Sequence, residues 1–237
     1  MPNTRGKIAE RIRVKLIGLA RFRKDWEAIV RTIDTQQLDA LRAMYPGDMP
    51  GHKYLNWRKY LPVSIERLYA LNLHRGDRKA VLDVGTGVGY FPYALSHFGH
   101  TAVAIDKDNN PIFNDATAVL KIDRRVWEVR AHEPLPKLGV RFDLATAFRT
   151  VFNKTDKKVW RVPEWEFFLR DLANNLLADD GRVYIDFNLE RDGRPYDGTL
   201  QAFFWGHGAR INGSKVFLSS VAGFRLVPLK LAEAEHA

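Results

Sequence analysis

The sequence predicts an α/β fold in which a doubly wound, mostly parallel sheet carries helices on both faces and follows an N-terminal helical extension. Three observations lead to this prediction. Short apolar runs alternate with longer segments of helical periodicity. A glycine-rich turn joins the first apolar run to the helix that follows it. A second strand-like run, 101–105, follows that helix with Asp106 at its tip, and this alternation of strand and helix implies a parallel sheet covered on both faces.

The predicted elements are delimited by apolar runs and turn residues. Five strands are predicted at 80–84, 101–105, 125–130, 142–148 and 182–188. The helices predicted between them are at 90–98, 111–120 and 163–178, with Asn110-Pro111 as a start signal and Gly181 as a stop. Helical spacing also covers 25–45 and 57–73, and a loop is predicted at 45–51.

The end of the sequence allows two interpretations. Asn212-Gly213 lies between the short apolar runs 209–211 and 214–219, which predicts a hairpin. The alternative is a short helix at 215–222 before a last strand at 224–229. We prefer antiparallel pairing at this edge of the sheet.

Length and composition predict three segments: a basic amphipathic arm at 1–24, a helical lid at 25–75 and a main domain at 76–237. The chain has no cysteine, which excludes disulfides, thiolate metal sites and a cysteine nucleophile. It has no apolar run of about 18 residues, so no membrane span is predicted. The apolar stretch Leu16–Ala20 is too short for a secretory signal, so we expect a cytoplasmic location.

Positive charge is concentrated in the arm. Residues 1–24 hold eight Lys and Arg and one Glu, a net +7 of the chain's +9, which leaves +2 for residues 25–237. Ile8, Ile12 and Leu16 recur at helical spacing beside the bases. One interpretation is a helix that binds an anionic membrane or a phosphate-rich partner. If it binds the membrane, the protein would lie at the inner membrane surface. The other is a helix docked on the domain with solvated charges.

The glycine-rich turn Asp83–Phe91 carries the main functional signal. A turn of this kind after a strand lets backbone N–H groups approach a ligand closely. Asp106 follows the second predicted strand, where an acid can accept hydrogen bonds from two ribose hydroxyls. The pattern predicts a nucleoside-bearing cofactor. The alternatives are a tight turn without a ligand and an Asp106 that only caps the next helix.

The glycine spacing separates two classes of cofactor. Dinucleotide enzymes need G-x-G-x-x-G, whereas the glycines here are Gly85, Gly87 and Gly89, and Tyr90 stands where the third glycine would be. The pattern D-x-G-x-G-x-G resembles that of class I S-adenosylmethionine-dependent methyltransferases, which have a Rossmann-like fold, and the resemblance covers about residues 53–190. The chain is also similar to an uncharacterised bacterial subgroup of that family. That similarity lies in Lys53-Tyr54, residues 89–93 and residues 143–148.

The resemblance implies S-adenosylmethionine as the cofactor and a role for each matching residue. The backbone of Gly85 and Gly87 would line the methionine part of the cofactor. Asp83 would help to hold the amino group, and Asp106 would hold the ribose.

The same resemblance implies contacts around the rest of the cofactor. Either Glu133 or His132 would lie near the adenine. Further contacts are expected from the turn, from the ends of the second and fourth strands and from the lid: Thr86, Gly89, Tyr90, Lys107, Ala147, Phe148, Lys53 and Tyr54.

The acceptor side has several candidate residues. Methyl transfer needs alignment, and it needs a base where the nucleophile carries a proton. The candidate bases are His132, His207, Asp186 and Glu190, of which His207 lies in an aromatic patch. Arg149 could orient an anionic acceptor. Each histidine could equally be structural, and Arg149 could form a loop ion pair. No metal-binding pattern is present.

The fourth predicted strand ends in Thr146-Ala147-Phe148-Arg149 and lacks the Pro-Pro-aromatic motif of methyltransferases that act on amino groups of nucleic-acid bases. We therefore expect a small molecule, a sugar or a lipid-linked glycan as the acceptor. Two alternatives are an RNA methyltransferase that uses the arm as a phosphate clamp and a non-catalytic S-adenosylmethionine-binding protein.

Overall fold

The computed structural model describes residues 18–155, 158–190 and 192–225. Its helices are residues 18–30 (α1), Thr35–Met44 (α2), Trp57–Ala70 (α3), Tyr90–His97 (α4), Pro111–Val119 (α5), Val162–Asp171 (α6) and Gly198–Gly206 (α7). Its strands are Ala80–Val84 (β1), Thr101–Asp106 (β2), Arg124–Val126 (β3), Phe142–Phe148 (β4), Lys154–Thr155 (β5), Lys158–Val159 (β6), Leu177–Asp186 (β7), Arg210–Asn212 (β8) and Lys215–Leu218 (β9). Short 3₁₀ turns lie at His52–Leu55 and Ala222–Phe224, and a π turn lies at Leu172–Leu176.

The main sheet confirms the predicted fold class. It has seven strands in the order β3-β2-β1-β4-β7-β9-β8 and is mostly parallel. The pairs β1–β4 and β4–β7 are parallel, while β9 runs antiparallel to both β7 and β8. The hairpin predicted at Asn212-Gly213 is therefore confirmed. Since the strand order reverses between β1 and β4, the carboxyl ends of these two strands are where an open α/β sheet binds a ligand.

The described chain divides into two compact units. The first comprises residues 18–78, 86–104 and 108–124 and contains α1 to α5. Its core includes fully buried helical side chains: Ile29, Leu38, Leu61, Ile65, Leu68, Leu95 and Ile112. The helix α5 begins at Pro111, and the side chain of Asn110 accepts a hydrogen bond from the Ile112 N–H at 3.0 Å, as the start signal predicts.

The second unit comprises residues 79–85, 105–107 and 125–225 within the described ranges, and it contains β1, β4, β7, β8, β9, α6 and α7. Trp165 of α6 is fully buried in it. Five aromatic rings surround the Trp165 ring at centroid distances of 5.2 to 5.8 Å: Phe152, Trp160, Phe168, Phe187 and Phe204. This cluster ties α6 and α7 to the loops that follow β4 and β7.

Several predicted boundaries are wrong. The strand predicted at 125–130 is only β3, Arg124–Val126. The helix predicted at 25–45 is interrupted, because Asp34 caps α2 by accepting a hydrogen bond from the Gln37 N–H. The helix α7 has no counterpart among the predicted elements.

The helix predicted at 163–178 gives way to β7 at Leu177, and Gly181 lies inside that strand rather than after the helix. The register of β4 and β7 shifts between Phe142 and Leu144. A Cβ on Gly181 would lie 2.7 Å from the Leu177 Cβ, so only glycine fits this irregular stretch. The irregularity allows Leu177 to pair opposite Phe142.

Most of the predicted basic arm, residues 1–17, lies outside the described residues, and the interpretation of its charge stays a prediction. Of the alternative last strand, residues 226–229 also lie outside them. None of the helices in the described ranges is long and apolar enough to cross a membrane.

Candidate functional site

The carboxyl ends of β1, β4 and β7 lie side by side in the second unit. Val84 pairs with Ala147, and Phe148 pairs with Asp186. The structure therefore brings together Asp83, Ala147 and Phe148, which come from separate parts of the sequence and are all predicted to lie near the cofactor. We call this row of strand ends the carboxyl edge.

Asp83 is held against β4 by a side-chain hydrogen bond. The Thr146 hydroxyl donates to Asp83 Oδ1 at 2.8 Å, and the exposed fractions of Thr146 and Asp83 are 1% and 3%. A buried carboxylate needs such partners to offset its desolvation. Asp83 thus fixes β1 to β4 directly before the glycine-rich turn.

Gly85 makes the tightest glycine contact on this edge. Its φ is +73°, and a Cβ at this position would lie 2.3 Å from Thr150 Cγ2. Its N–H donates to the Ile105 carbonyl of β2 at 2.8 Å. Both the left-handed backbone and the Thr150 methyl therefore require glycine at position 85. Sequence reasoning missed Thr150, because nothing in its own neighbourhood marks it.

Arg149 occupies a left-handed conformation, with φ +54°, directly after β4. Its N–H donates to the Asp186 carbonyl at 2.7 Å, and its Nε lies 3.1 Å from Asp186 Oδ1. The Asn188 amide donates to the carbonyls of Arg149 and Thr150 at 2.8 and 3.0 Å. The Ser214 hydroxyl donates to Asp186 Oδ1 at 2.7 Å. These contacts fix the chain at Arg149 and Thr150.

The same contacts bear on the candidate bases. The Asp186 carboxylate is buried, accepts a hydrogen bond from Ser214 and pairs with Arg149. Glu190 pairs with Lys154 at 3.0 Å. Both carboxylates are already engaged by neighbouring side chains, so the structure does not favour either residue as a general base.

Asp106 ends β2 and is half-buried. Its Oδ1 accepts a hydrogen bond from the Lys107 N–H at 2.8 Å, and its carbonyl accepts one from the Trp127 N–H at 2.9 Å. The side chain thus takes a fixed position at the tip of the strand. This position is compatible with the predicted ribose contact, and the backbone of Lys107 helps to hold it.

His132 and Glu133 follow β3 in a loop. His132 has a φ of +58°, and its Nε2 lies 3.6 Å from Glu164 Oε1. Burial opposes ionisation of Glu164, but the Arg161 N–H donates to that carboxylate, and its pKa is lowered on balance. Glu133 is exposed and lies 4.0 Å from Arg130. The adenine contact expected from His132 or Glu133 stays a prediction.

His207 is not brought to the carboxyl edge. It follows α7 and stacks on Phe224, with ring centroids 4.2 Å apart. It precedes β8, whose first residue, Arg210, pairs with Phe217. The partner of Asp186 is Lys215, at the other end of β9. His207 therefore lies toward the amino end of β7, and its expected role at the acceptor loses its geometric basis.

The rest of the predicted glycine turn belongs to the first unit. Gly87 and Gly89 have φ of +58° and +91°, and Gly89 precedes α4. The Thr86 Oγ1 and the Tyr90 hydroxyl are buried, and neither finds a hydrogen-bond partner within the described residues. Burial also raises the pKa of Tyr90.

Lys53 and Tyr54 lie in the 3₁₀ turn of the predicted lid, also in the first unit. The Tyr54 ring packs 6.2 Å from the Phe113 ring of α5, and the Lys53 ammonium lies 4.9 Å from the Tyr54 ring. A Cβ on Gly87 would lie 4.0 Å from Phe113 Cζ. Phe113 thus links the lid residues to the glycine turn within this unit.

The residues of each unit fit a cofactor that carries a nucleoside. In the second unit, the left-handed Gly85 presents backbone without a side chain, and Asp106 places an acid at the tip of β2. In the first unit, Gly87 and Gly89 are also left-handed, and the hydroxyl of Thr86 is buried without a partner among the described residues. For a metal the finding is different. Within residues 18–155, 158–190 and 192–225, no group of three or more His, Asp or Glu is arranged to hold an ion.

No family model matches the chain, and no curated protein matches it. Among solved structures, it is similar to the glycopeptide N-methyltransferase MtfA complexed with sinefungin, with 12% identity, a TM-score of 0.40 and coverage of 54% of each chain. It is similar to DesVI of Streptomyces venezuelae, with 15% identity, a TM-score of 0.46 and coverage of 62% of this chain and 58% of that one. It is also similar to SAM-bound CalS10, an amino pentose methyltransferase from Micromonospora echinaspora, with 20% identity, a TM-score of 0.44 and coverage of 59% and 55%.

The chain spans little more than half the length of these structures.

Proposed function

We propose that the chain binds S-adenosylmethionine and transfers its methyl group to an oxygen or nitrogen nucleophile of a small molecule, a sugar or a lipid-linked glycan. The observation that carries the proposal is the series of glycines after β1 together with an acid at the tip of β2, in a sheet whose strand order reverses beside β1. The resemblance of D-x-G-x-G-x-G to class I methyltransferases supports this choice of cofactor.

Each residue has a limited task in this proposal. Asp106 accepts hydrogen bonds from the ribose hydroxyls. The backbone at Gly85 faces the methionine part, and Asp83 stabilises the start of the turn through Thr146. When bound, the cofactor supplies a methyl group on an activated sulfonium leaving group. The chain then has to align the acceptor and exclude water.

The acceptor loses the proton on its nucleophilic atom by one of two routes, either to a base of the chain or to water. Of the candidate bases, His207 lies away from the edge, and Asp186 and Glu190 are engaged by Arg149, Ser214 and Lys154. His132 is exposed and stays a candidate for the first route. In the second route, a nucleophile that loses its proton readily to water needs no base from the chain.

The engaged carboxylates also favour a second candidate function. A non-catalytic protein that binds S-adenosylmethionine as a sensor or partner needs the turn and Asp106 but no base. It would bind the cofactor and show no turnover with any acceptor.

Calorimetric titration of the full chain with S-adenosylhomocysteine tests the proposed cofactor. We expect saturable heat and a higher melting temperature with the ligand. Asp106→Ala should weaken binding by about 1–3 kcal/mol, because the ribose hydroxyls lose their acceptor. Asp106→Asn should lose less, since the amide oxygen can still accept.

A matched control is Asp108→Ala, two residues further on, where the carboxylate accepts a hydrogen bond from Asn114. This variant should bind S-adenosylhomocysteine with nearly unchanged affinity. Absence of both heat and thermal stabilisation with the unmodified chain would contradict the proposed function.

A further inference from the structure

The side chain of Thr150 fills the space beside Gly85. The position that a Cβ on Gly85 would take lies 2.3 Å from Thr150 Cγ2, 3.0 Å from its Cβ and 3.9 Å from its Oγ1. The methyl group is therefore the part of Thr150 that closes this space. Thr150 comes two residues after β4, on the same carboxyl edge as Gly85.

The main chain at Thr150 cannot easily withdraw. The Asn188 amide binds the carbonyls of both Arg149 and Thr150, and the Arg149 N–H is bound to the Asp186 carbonyl. A larger group beside Gly85 would thus have to displace the Thr150 side chain or break this set of hydrogen bonds. The Thr150 side chain is therefore a fixed wall beside Gly85.

The order of the strands places this wall relative to the proposed cofactor. Asp106 ends β2, and Gly85 follows β1 and donates to the Ile105 carbonyl of β2. Neighbouring strands lie about 4.8 Å apart. In the proposed function, Asp106 holds the ribose and the backbone at Gly85 faces the methionine part, so the sulfonium that joins these two parts lies between Asp106 and Gly85. The next strand end along the edge is that of β4, and Thr150 follows it.

We propose that Thr150 determines the size of the alkyl group that the bound sulfonium can carry, so that a methyl group is accepted and larger groups are excluded. This inference rests on the proposed function. It assigns to Thr150 a steric role in selecting the donor, and it requires no chemical step by its hydroxyl.

The test compares two probes, S-adenosylmethionine and S-adenosylethionine, which differ by one methylene on sulfur. Calorimetric affinities are measured for the full chain and for Thr150→Ala. We expect the unmodified chain to favour the methyl probe by about tenfold or more, a range typical of one methylene in a closed pocket. Thr150→Ala should reduce this preference to within about threefold, by strengthening the binding of the ethyl probe.

Thr150→Val is the matched control, because it replaces the hydroxyl by a methyl group and keeps the shape of the side chain. It should retain the preference for the methyl probe. Thr150→Ser removes only the methyl group and should behave like Thr150→Ala, and it replaces that variant if the alanine chain does not fold. Circular dichroism and thermal melting establish that each variant is folded.

The outcomes separate a failure of this inference from a failure of the proposed function. Binding of S-adenosylmethionine by the unmodified chain with no preference over the ethyl probe would overturn the inference and leave the proposed function standing. An equal preference in the unmodified chain, Thr150→Ala and Thr150→Ser would do the same. If neither probe nor S-adenosylhomocysteine binds the unmodified chain, the proposed function fails and the inference fails with it.

Discussion

Thr146 donates its hydroxyl hydrogen to Asp83 across the β1–β4 pair, with 2.8 Å between the two oxygens and both residues almost fully buried. Thr146→Val keeps the shape of the side chain and removes the donor. The free energy of unfolding should fall by about 1–3 kcal/mol, because a buried carboxylate loses a partner. Denaturant unfolding measures this, and Thr146→Ser, which keeps the hydroxyl, should lose less. Equal stability of the valine and serine variants would contradict the role given to this bond.

Gly85 and Thr150 should be coupled energetically. Gly85→Ala places a Cβ against the Thr150 methyl and forces alanine into a left-handed conformation. We expect overpacking to cost about 1–3 kcal/mol and the backbone conformation to cost about 1–2 kcal/mol more. Thr150→Gly in the same chain should recover the first cost and leave the second. A double-mutant cycle by chemical denaturation measures the coupling, and strictly additive effects would show that the two residues do not touch.

Arg149 should respond differently to glycine and to alanine. Both replacements remove the guanidinium that pairs with the buried Asp186 carboxylate, so both should lower the free energy of unfolding at neutral pH. Glycine also relieves the left-handed backbone at φ +54°, so Arg149→Gly should be more stable than Arg149→Ala by about 1 kcal/mol. Urea unfolding of the two variants side by side tests this order. A reversed order would mean that the backbone at Arg149 is not strained.

His74 should make stability depend on pH. Its ring stacks on Tyr69 at a centroid distance of 4.0 Å. Burial, and then Arg21 and Arg75, lower the pKa of His74 below its ordinary value of about 6.5. Just below that value the unfolded chain binds more protons than the folded chain does, so the free energy of unfolding decreases as the pH falls.

The replacement His74→Phe should flatten this slope in urea titrations at a series of pH values, because phenylalanine keeps a stacked ring and cannot bind a proton. The control is His97→Gln, which removes an exposed histidine elsewhere in the first unit. An unchanged slope in His74→Phe would assign the pH dependence to other groups.

The elements that the sequence predicts well are marked by their own residues. The strands β1 and β4 are apolar runs with mostly buried residues, and their predicted and observed bounds agree. The strand β3 is predicted too long because residues 127–130 continue a strand-like composition, although β3 ends at Val126. The helix α7 escapes prediction because its core side chains, Leu200 and Phe204, lie in a segment that looks like an aromatic patch.

The same distinction applies to the residues of the candidate site. The positions of Asp83, Gly85 and Asp106 in the fold can be predicted from the sequence because a turn and two strand ends mark them. Asn188 and Ser214 cannot, since each acts on a residue of another segment and has no local pattern. The position of His207 is hidden for a related reason: its side of the sheet depends on the direction of β8, which only the pairing of the hairpin reveals.

The direction of β9 has a consequence for synthesis. Because this strand enters the sheet beside Asp186, the hairpin turn delivers the Ser214 hydroxyl to a carboxylate that the ribosome finished 28 residues earlier. Until the hairpin pairs with β7, Asp186 therefore lacks one of its hydrogen-bond donors. The set of contacts around this buried carboxylate is complete only when β9 has joined the sheet.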